Sequence, residues 1–459
     1  MGTTTIATNT TSGLRPTAGD SVYVPFGVLV ADTGGEGIHV QGATPTTHLL
    51  IDGTVVGLAS FGISIVESAT THQGNFILDI GESGIVRSGA SHPLLNSGVI
   101  MSGSNNLLVN RGEISGVDGV LATGTASSGV GQSIENHGTI NGWGDAGIVV
   151  KVSGSNIVNT GTIAGAKGVL FSYSTSFDNS GTVIGRDGPA VDGRSVTGEA
   201  IFFRNSGLVT TGESVLQIAV GLGYSDDTLI NRGVIEGDVM LGDGLDIYKG
   251  RGGTVAGTVK GGLGGDILTG GAGDDTLDGE EADDVLNGLG GDDTLIGGVG
   301  NDDLRGGFGD DMIMGGADDD VLNGGGDDDT LIGEGGNDDL RGGRGDDVII
   351  GGADNDDMWG GRDADTFQFA GFGGGGPGGV PTDHIHDFEK GADVIDLQPL
   401  PGRVAFGTKA FKGGGVASIV VSVKKGDTIV KVDEDGDKHM DGKIIVDDVT
   451  GLTAHDFIL

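Results

Sequence analysis

The sequence predicts an all-β chain made of two stacks of parallel-strand coils, followed by a small β-rich cap. Three observations support this fold class. A nine-residue unit runs without a gap through residues 261–368. A longer repeat, built around an asparagine and a glycine, recurs between residues 94 and 235. Helix-length amphipathic patterns are absent from the sequence, and short β-rich runs dominate from Ser21 onward.

The chain divides into four predicted segments. Residues 1–240 are predicted to form a right-handed parallel β-helix, residues 241–260 a junction, residues 261–368 a parallel β-roll, and residues 369–459 a cap. The 97 glycines and the aromatic content of 5% favour stacked β-coils over a helical core. No proline-rich or serine-rich linker separates the two stacks, so we expect the first to continue into the second as one rod.

The longer repeat places an asparagine two residues before a glycine in each copy. Residues 50–55 contain a degenerate copy, and the later asparagines are Asn96, Asn110, Asn136, Asn159, Asn179, Asn205 and Asn231. Apart from the first spacing of 14, the spacings of 20, 23 and 26 residues match one coil of a wide parallel β-helix. An asparagine at one corner of every coil predicts a ladder of side-chain amide hydrogen bonds. We expect roughly eight to ten coils.

Charged residues follow these corners at a regular distance. Eight or nine residues after an asparagine stand Asp118, Asp145, Lys167, Asp187 and Glu213. They form either a row that binds metal or sugar, or a series of solvated turns, and the solvated turn is the simpler interpretation.

The nine-residue unit occurs twelve times, with glycine first, aspartate sixth and a large apolar residue eighth. Glycine-rich residues suit a tight turn, and three extended residues make a short strand whose middle side chain points inward. Two units would therefore close one coil of 18 residues. The sixth-position residues are Asp266, Asp275, Asp284, Asp293, Asp302, Asp311, Asp320, Asp329, Asp338, Asp347, Asp356 and Asp365.

Carboxylates stacked in this way repel one another. Residues 261–368 contain 27 Asp and 3 Glu against 4 Arg and no Lys, a net charge of −26. A hard cation with six to eight oxygen ligands would remove the repulsion, and this is calcium rather than magnesium chemistry. We therefore predict the twelve aspartates as ligands of Ca²⁺, with about ten ions when each unit is paired with the unit two ahead. Without calcium we expect a disordered acidic tract.

The nonapeptide closely resembles the repeats of the repeats-in-toxin (RTX) family, whose members leave Gram-negative bacteria through type I secretion systems. The resemblance implies calcium binding, a partnership with that secretion machinery, and a secreted, extracellular or cell-surface location. It says little about activity, because toxins, enzymes, adhesins and surface-layer proteins all carry such repeats. The ending Leu452–Leu459 is similar to the uncleaved signal of this export route.

Two stretches of the last segment contain candidate metal ligands. Residues 383–388 and 391–397 look like the cap that ends RTX domains, and His384 and His386 within it are either metal ligands or structural residues. Residues 432–441 form an acidic turn that departs from the EF-hand pattern, because Gly436 comes early and no glutamate closes it. This turn either binds one more calcium ion or is a solvated loop. Residues 373–379 are expected to form a flexible loop.

Composition limits the function. The net charge of −41 argues against nucleic acid and anionic membranes as partners, and no apolar run approaches the length of a membrane-spanning helix. The N-terminus lacks the features of a classical signal peptide, as expected for export by a C-terminal signal. The absence of cysteine leaves calcium, rather than disulfides, to stabilise the secreted chain.

The motifs of several enzyme classes are also missing. The sequence contains no His-Glu-x-x-His motif of zinc proteases, no Gly-x-Ser-x-Gly motif of lipases, and no Asp-Pro-His-Glu run of mannuronan epimerases. We therefore predict a calcium-binding structural protein of the cell surface or matrix, acting as an adhesin or as a scaffold that assembles into filaments or layers. Residues 1–20 are expected at the contact between molecules. The alternative is a polysaccharide lyase, hydrolase or epimerase carried on the β-helix, and cell-surface polysaccharide is a candidate partner in either case.

Overall fold

The structure is a computed structural model of the 459-residue chain. The residues that it describes are 3–5, 21–32, 36–41, 47–58, 61–66, 76–89, 97–124, 131–212, 218–369, 371, 380–398, 400, 404–407, 411 and 417–459. The predicted loop at residues 373–379 lies outside these ranges, as does Glu213. The chain separates into two compact units, Met1–Thr258 and Val259–Leu459, which are described in turn.

The first unit consists of short strands joined by turns. In chain order its strands are β1 (Thr3–Thr5), β2 (Ser21–Val24), β3 (Leu29–Asp32), β4 (Ile38–Gln41), β5 (Thr47–Ile51), β6 (Thr54–Gly57), β7 (Ile63–Val66), β8 (Phe76–Ile80), β9 (Ile85–Ser88), β10 (Val99–Ser102), β11 (Leu107–Asn110), β12 (Glu113–Gly116), β13 (Val120–Thr123), β14 (Ser133–Asn136), β15 (Thr139–Gly142), β16 (Ala146–Lys151), β17 (Ser155–Asn159), β18 (Thr162–Gly165), β19 (Lys167–Phe171), β20 (Thr175–Asn179), β21 (Thr182–Gly185), β22 (Val191–Asp192), β23 (Phe202–Asn205), β24 (Leu208–Thr210), β25 (Ile218–Gly221), β26 (Thr228–Asn231), β27 (Val234–Glu236), β28 (Asp238–Asp243), β29 (Ile247–Lys249) and β30 (Thr254–Val255).

From β2 to β27, each strand of this unit pairs in parallel with the strand three places further along the chain. The pairs β2–β5, β3–β6 and β4–β7 begin three faces, here called faces A, B and C. The strands from β2 to β28 therefore make nine three-strand coils in the described part of the chain. The predicted parallel β-helix is confirmed, within the expected range of coils.

The predicted asparagine ladder is present at the corner where face A ends. Each side-chain amide donates to the amide oxygen of the next asparagine along the row, from Asn110 Nδ2 to Asn136 Oδ1 at 2.7 Å through to Asn205 Nδ2 and Asn231 Oδ1 at 2.9 Å. The six asparagines of this row are buried. The predicted inward residues Val120, Ile148 and Val169 are also in register with one another on face C.

The first copy of the asparagine repeat, whose spacing of 14 was the exception, differs in position from the later copies. Asn96 lies outside the described residues, but Val99, which follows it, is on face C and pairs with Val120. Asn110 is on face A and pairs with Ile80, so Ile80 occupies the corner one coil earlier. The spacing of 14 residues therefore joins two different faces and is not a coil length. The degenerate copy at residues 50–55 is at the predicted corner, because Ile51 pairs with Ile80.

The second unit has two faces instead of three. Its elements are β31 (Val259–Leu263), β32 (Ile267–Thr269), β33 (Thr276–Glu281), β34 (Val285–Asn287), β35 (Thr294–Val299), β36 (Asp303–Phe308), β37 (Met312–Ala317), β38 (Val321–Gly326), β39 (Thr330–Gly335), β40 (Asp339–Arg344), β41 (Val348–Ala353), β42 (Asp357–Arg362), β43 (Thr366–Gln368), β44 (Thr382–Ile385), β45 (Val394–Asp396), β46 (Ala405–Gly407), β47 (Ser418–Lys424), β48 (Asp427–Asp433), β49 (Gly442–Val446), the short 3-10 helix η1 (Ala454–Asp456) and β50 (Phe457–Ile458).

Strands of the second unit pair in parallel with the strand two places ahead. The register advances by 18 residues, because Thr276 pairs with Thr294 and Thr294 pairs with Met312. This is the predicted coil of two nonapeptides. The eighth-position apolar residues all lie in the core with no exposed surface; they are Leu268, Leu277, Leu286, Leu295, Leu304, Ile313, Leu322, Leu331, Leu340, Ile349, Met358 and Phe367.

The cap continues both faces of the roll. Strand β44 pairs with β42, and β45 pairs with β43, so the segments predicted as a cap add one more coil. On one face β49 follows β44 in parallel and β48 follows β49 antiparallel. On the other face β50, near the C-terminus, pairs with β45, and Phe457 is buried.

The N-terminal residues contribute one described strand. Thr3–Thr5 pair in parallel with Ser21–Tyr23 of the same chain. Residues 1–20 are predicted to contact a neighbouring molecule, whereas these three residues lie on the edge of their own face A. Among the described residues, no helix is long and apolar enough to cross a membrane.

Asn159→Ala is expected to destabilise the β-helix, because Asn159 stands in the middle of the ladder with bonds to Asn136 and Asn179 at 2.8 and 2.7 Å. Its loss leaves a buried donor and a buried acceptor unsatisfied, which costs about 1–3 kcal/mol in the free energy of unfolding. Urea denaturation in calcium buffer measures this change. Thr160→Ala, at the exposed neighbouring position, is the control and should change stability by less than about 0.5 kcal/mol. Equal effects of the two substitutions would contradict the stabilising role of the ladder.

Candidate metal centre

The twelve sixth-position aspartates form two buried rows, one at the start of each face of the roll. In ten of them the backbone N–H donates to Oδ1 of the aspartate 18 residues later, from Asp266 and Asp284 at 2.6 Å through to Asp347 and Asp365 at 3.0 Å. Each accepting carboxylate is thereby fixed against the coil before it. The structure brings together all the residues that were predicted as ligands, in the predicted pairing of units two apart.

The second oxygen of most of these carboxylates has no partner. In nine of them Oδ2 is buried and accepts no hydrogen bond; these are Asp284, Asp293, Asp302, Asp311, Asp320, Asp329, Asp338, Asp347 and Asp356. A buried oxygen without a hydrogen-bond donor lowers the free energy of unfolding, and a bound cation would remove this penalty. The rows are therefore suited to a cation.

The invariant glycine at the first position has a steric cause. A Cβ atom at Gly288 would collide with Oδ2 of Asp293, and one at Gly315 would collide with Oδ2 of Asp320. The same collision arises in each of the twelve units, between the first and sixth residues. Any side chain at this position would fill the space beside the buried oxygen.

The turns use a left-handed backbone at the second and fourth positions of the unit. Glycine occupies most of these positions, for example Gly298 with φ of 117° and Gly300 with φ of 133°. Eight other residues adopt the same conformation, namely Glu280, Ala282, Leu289, Asp318, Asp327, Glu334, Asp354 and Asp363. These are the positions where the sequence departs from glycine, and the turn keeps its conformation there at a cost in strain.

Burial and mutual repulsion raise the pKa of these aspartates. Burial, together with the nearby charges of Asp338 and Asp302, raises the pKa of Asp320 to about 8, although the hydrogen bond from the Asp302 N–H lowers it. The same causes raise the pKa of Asp347 to about 7 and that of Asp356 to about 8. Near neutral pH the metal-free rows are therefore partly protonated, and a cation would compete with protons for the same oxygens.

Sequence reasoning missed a second ladder, at the fifth position of the unit. There, an Asp or Asn side chain accepts from the backbone N–H of the residue 18 positions later, as in Asp310 N to Asp292 Oδ1 at 3.0 Å and Asn337 N to Asp319 Oδ1 at 2.7 Å. These side chains are exposed, in contrast to the buried rows. The signal was present, since ten of the twelve units have Asp or Asn at this position.

Two further aspartates that were not predicted extend the buried rows into the cap. Asp356 N donates to Asp383 Oδ1 at 3.3 Å, and Asp365 N donates to Asp393 Oδ1 at 3.0 Å. Both Asp383 and Asp393 are buried. Their distances along the chain from the roll, 27 and 28 residues, break the repeat of 18 and hide them from a periodicity search.

The charged residues that follow the β-helix corners lie apart from these rows. Asp145 and Asp187 are exposed, and Lys167 forms an ion pair with Asp192 at 3.0 Å. Asp118 is half-buried, and its Oδ2 lies 3.4 Å from Oγ of Ser97. The described members of this set therefore differ in their surroundings and do not form a uniform row of ligands.

The two candidate metal sites of the cap differ from each other. The acidic turn brings Asp433, Asp435 and Asp441 together, but both oxygens of Asp433 already accept from the backbone, at Gly436 and Lys438. His384 and His386 do come together, beside Asp357.

The donor set of the roll is all oxygen, with buried carboxylates on a glycine-rich backbone, and this fits a hard cation. Residues 251–286, 260–295, 278–313, 296–331, 305–340 and 332–367 match the family model of the RTX calcium-binding nonapeptide repeat. The chain is an RTX calcium-binding protein. Its RTX repeats bind Ca²⁺, as the sequence predicted. The assignment of individual aspartates as ligands and the number of about ten ions stay predictions.

One solved structure with similarity to the RTX protein is the solution structure of the AlgE6R3 subunit from the Azotobacter vinelandii mannuronan C5-epimerase. The sequences are 30% identical over 31% of this chain and 78% of that chain, with a TM-score of 0.25. None of the curated proteins compared with the chain matches it.

Asp320→Asn is expected to raise the calcium concentration at which the roll folds by several-fold. The amide keeps an oxygen that can accept from Asp302 N, which lies 2.8 Å from Oδ1 of Asp320, but it removes the charge and places N–H groups in the row. Circular dichroism during a calcium titration gives the midpoint. Asp318→Asn is the matched control, because it removes one charge two residues away at an exposed turn position. A midpoint that moves equally in both variants would show that only net charge matters.

The metal-free roll is expected to be more stable at pH 5 than at pH 8. Asp320 and Asp329 have folded pKa values of about 8, whereas an unfolded aspartate has a pKa of about 3.9. The folded state therefore holds more protons, and its added stability is complete below about pH 4 and lost as the pH rises through the folded values. Circular dichroism in EDTA should show β structure decreasing over this range. A metal-free signal that is independent of pH would refute the prediction.

Proposed function

We propose that the protein is a secreted structural protein of the cell surface or matrix, in which about ten calcium ions fold the roll. The observation that supports this proposal is the use of buried polar residues as repeated structural rows. Asn110 to Asn231 satisfy one another along the β-helix, and cations would satisfy the buried aspartates along the roll. The buried polar groups thus serve the stacking of coils.

The difference in calcium concentration between the inside and the outside of the cell would also determine where the roll folds. The rows carry carboxylates that repel one another, so a chain in low calcium stays unfolded and can pass through a type I channel. Outside, millimolar calcium would fill the rows and fold the roll in place. The twelve sixth-position aspartates are the proposed ligands, and the C-terminal cap, with Asp383 and Asp393, would close the last coil.

The scaffold role rests on the open edge of the first coil. Strand β4 pairs only with β7 among the described residues, and Thr3–Thr5 cover three residues of face A. An open edge of a parallel sheet can pair with another chain. Contact between two different surfaces of identical molecules produces filaments when the rotation does not close. Residues 1–20 would lie at or near this junction.

A polysaccharide-binding or polysaccharide-modifying role is the second candidate, favoured by a groove on the outside of face A. Asp178, Arg204 and Arg232 line it, and Arg204 Nη1 lies 3.2 Å from Asp178 Oδ1. The guanidinium of Arg204 also covers the ring of Phe202 at 4.3 Å. Aromatic, cationic and acidic side chains on one face are the combination expected for a sugar-binding surface.

The assembly test is light scattering and electron microscopy of the full chain in millimolar calcium. We expect fibres or sheets in calcium, their loss in EDTA, and weaker assembly after removal of residues 1–20. The double substitution of Arg204 and Arg232 by alanine should leave assembly unchanged, because the groove is distant in sequence from the N-terminal edge. A strictly monomeric protein that binds acidic polysaccharide, and loses this binding in the arginine variant, would favour the second candidate.

A further inference from the structure

The two histidines of the cap lie on the outer surface of the second unit, between strands from two other parts of the chain. Strand β44 is bordered by β42 on one side, with Asp357 opposite His384, and by β49 on the other. Asp383 and Ile385 point into the core, so His384 and His386 share the opposite, outward face. Pairing of three strands therefore concentrates ligand groups that are far apart in the sequence.

Two carboxylates face these imidazoles. Asp357 Oδ1 lies 2.8 Å from His386 Nε2, and Asp447 Oδ2 lies 2.8 Å from His386 Nδ1. The other oxygen of Asp447 is 3.5 Å from Nδ1 of His384. One ligand atom each from Asp357, His384 and His386 falls within 4.8 Å of the other two, close enough for all three to reach one ion after small side-chain movements.

Aromatic packing holds the imidazoles in place. The ring of Trp359 stacks on that of His386 with centroids 4.3 Å apart, and the rings of His384 and His386 are 5.6 Å apart and nearly parallel. The guanidinium of Arg341 lies over the Trp359 ring, with its central carbon 4.5 Å from the ring centroid. A ligand whose orientation is fixed before binding loses less entropy when the ion arrives.

We propose that Asp357, His384 and His386 bind one divalent transition-metal ion of the Zn²⁺ type. Imidazole nitrogen suits zinc, copper and nickel, whereas calcium takes oxygen ligands, so this site differs in chemistry from the aspartate rows. Asp447 accepts the Nδ1–H of His386 and leaves Nε2 of that ring for the ion beside Asp357. A carboxylate behind a metal-binding histidine is a common arrangement in zinc sites.

The site would stabilise the region where the roll meets its cap. Asp357 belongs to the last coils of the roll, His384 lies in the cap strand β44, His386 follows that strand directly, and Asp447 follows β49 near the end of the chain. An ion at this point would link Asp357 directly to His384, 27 residues later. Asp447, about 90 residues from Asp357, would be joined to the site through its contact with His386. It would therefore act on the same part of the fold as calcium but through separate residues.

The test uses the full chain, kept folded in millimolar calcium, in a Trp143→Phe background that leaves Trp359 as the one tryptophan. Co²⁺ should bind with a stoichiometry of about one, quench Trp359 fluorescence and give visible absorption bands, and Zn²⁺ should reverse these signals. His384→Ala or His386→Ala should weaken binding by more than about 100-fold. Asp447→Asn should weaken it by about 10- to 100-fold, the usual cost of losing an outer partner.

Two matched controls distinguish loss of a ligand at the proposed site from a general change in the charge of the protein. His439→Ala alters an exposed histidine that pairs with Asp437, and Asp303→Asn alters the equivalent of Asp357 three coils earlier on the same face. Neither should change Co²⁺ affinity. The calcium midpoint for folding, measured in each variant, shows that the roll is intact, and His384→Ala decides the result if His386→Ala does not fold. Absence of stoichiometric binding, or equal affinity in the histidine variants, overturns the proposal and leaves His386 as a hydrogen-bonded bridge between two carboxylates.

Discussion

The structure of the second unit depends on the stacking of identical carboxylates at the spacing of adjacent strands, about 4.8 Å. Parallel coils with a fixed register of 18 residues put every sixth-position aspartate directly over its equivalent. The apolar residue two positions later, such as Leu295 or Ile313, is buried by the same stacking. The same stacking therefore produces both the burial of apolar side chains and the repulsion between carboxylates. The roll gains the stability of apolar burial only when a proton or a cation offsets the repulsion.

The two units solve the same stacking problem with different side chains. An asparagine amide is both donor and acceptor, so a row of asparagines such as Asn136, Asn159 and Asn179 satisfies itself. An ionised aspartate is only an acceptor, and the backbone N–H of the previous coil supplies a donor for one of its oxygens. The remaining oxygen needs a proton or a cation. Hence the asparagines of the β-helix satisfy one another, whereas the aspartates of the roll leave oxygens free for the Ca²⁺ that its repeats bind.

The features that could be predicted from the sequence are those that depend on a repeated motif. The sixth-position aspartates, the buried eighth position and the corner from Asn110 to Asn231 could be located because the same residue types recur in the same local pattern along the chain. Features that depend on strand pairing at irregular spacing could not. The copy of the asparagine repeat that contains Val99 lies at a different corner from the later copies, and Asp383 and Asp393 were missed because a loop interrupts the count. The grouping of Asp357 with His384 likewise depends on the register between β42 and β44.

The polarity of the two ladders explains why the cap completes the roll. In the buried rows each aspartate N–H donates to a carboxylate in the next coil, so every coil depends on the one that follows it. In the exposed ladder the N–H donates to a side chain in the preceding coil, so the dependence runs the other way. No repeat follows the last coil, so the backbone N–H groups of Asp356 and Asp365 need acceptors from outside the repeats. Asp383 and Asp393 of the cap provide these acceptors. Because such stacks are stabilised mainly by contacts between neighbouring coils, a coil left open at this end would weaken the coils before it in turn.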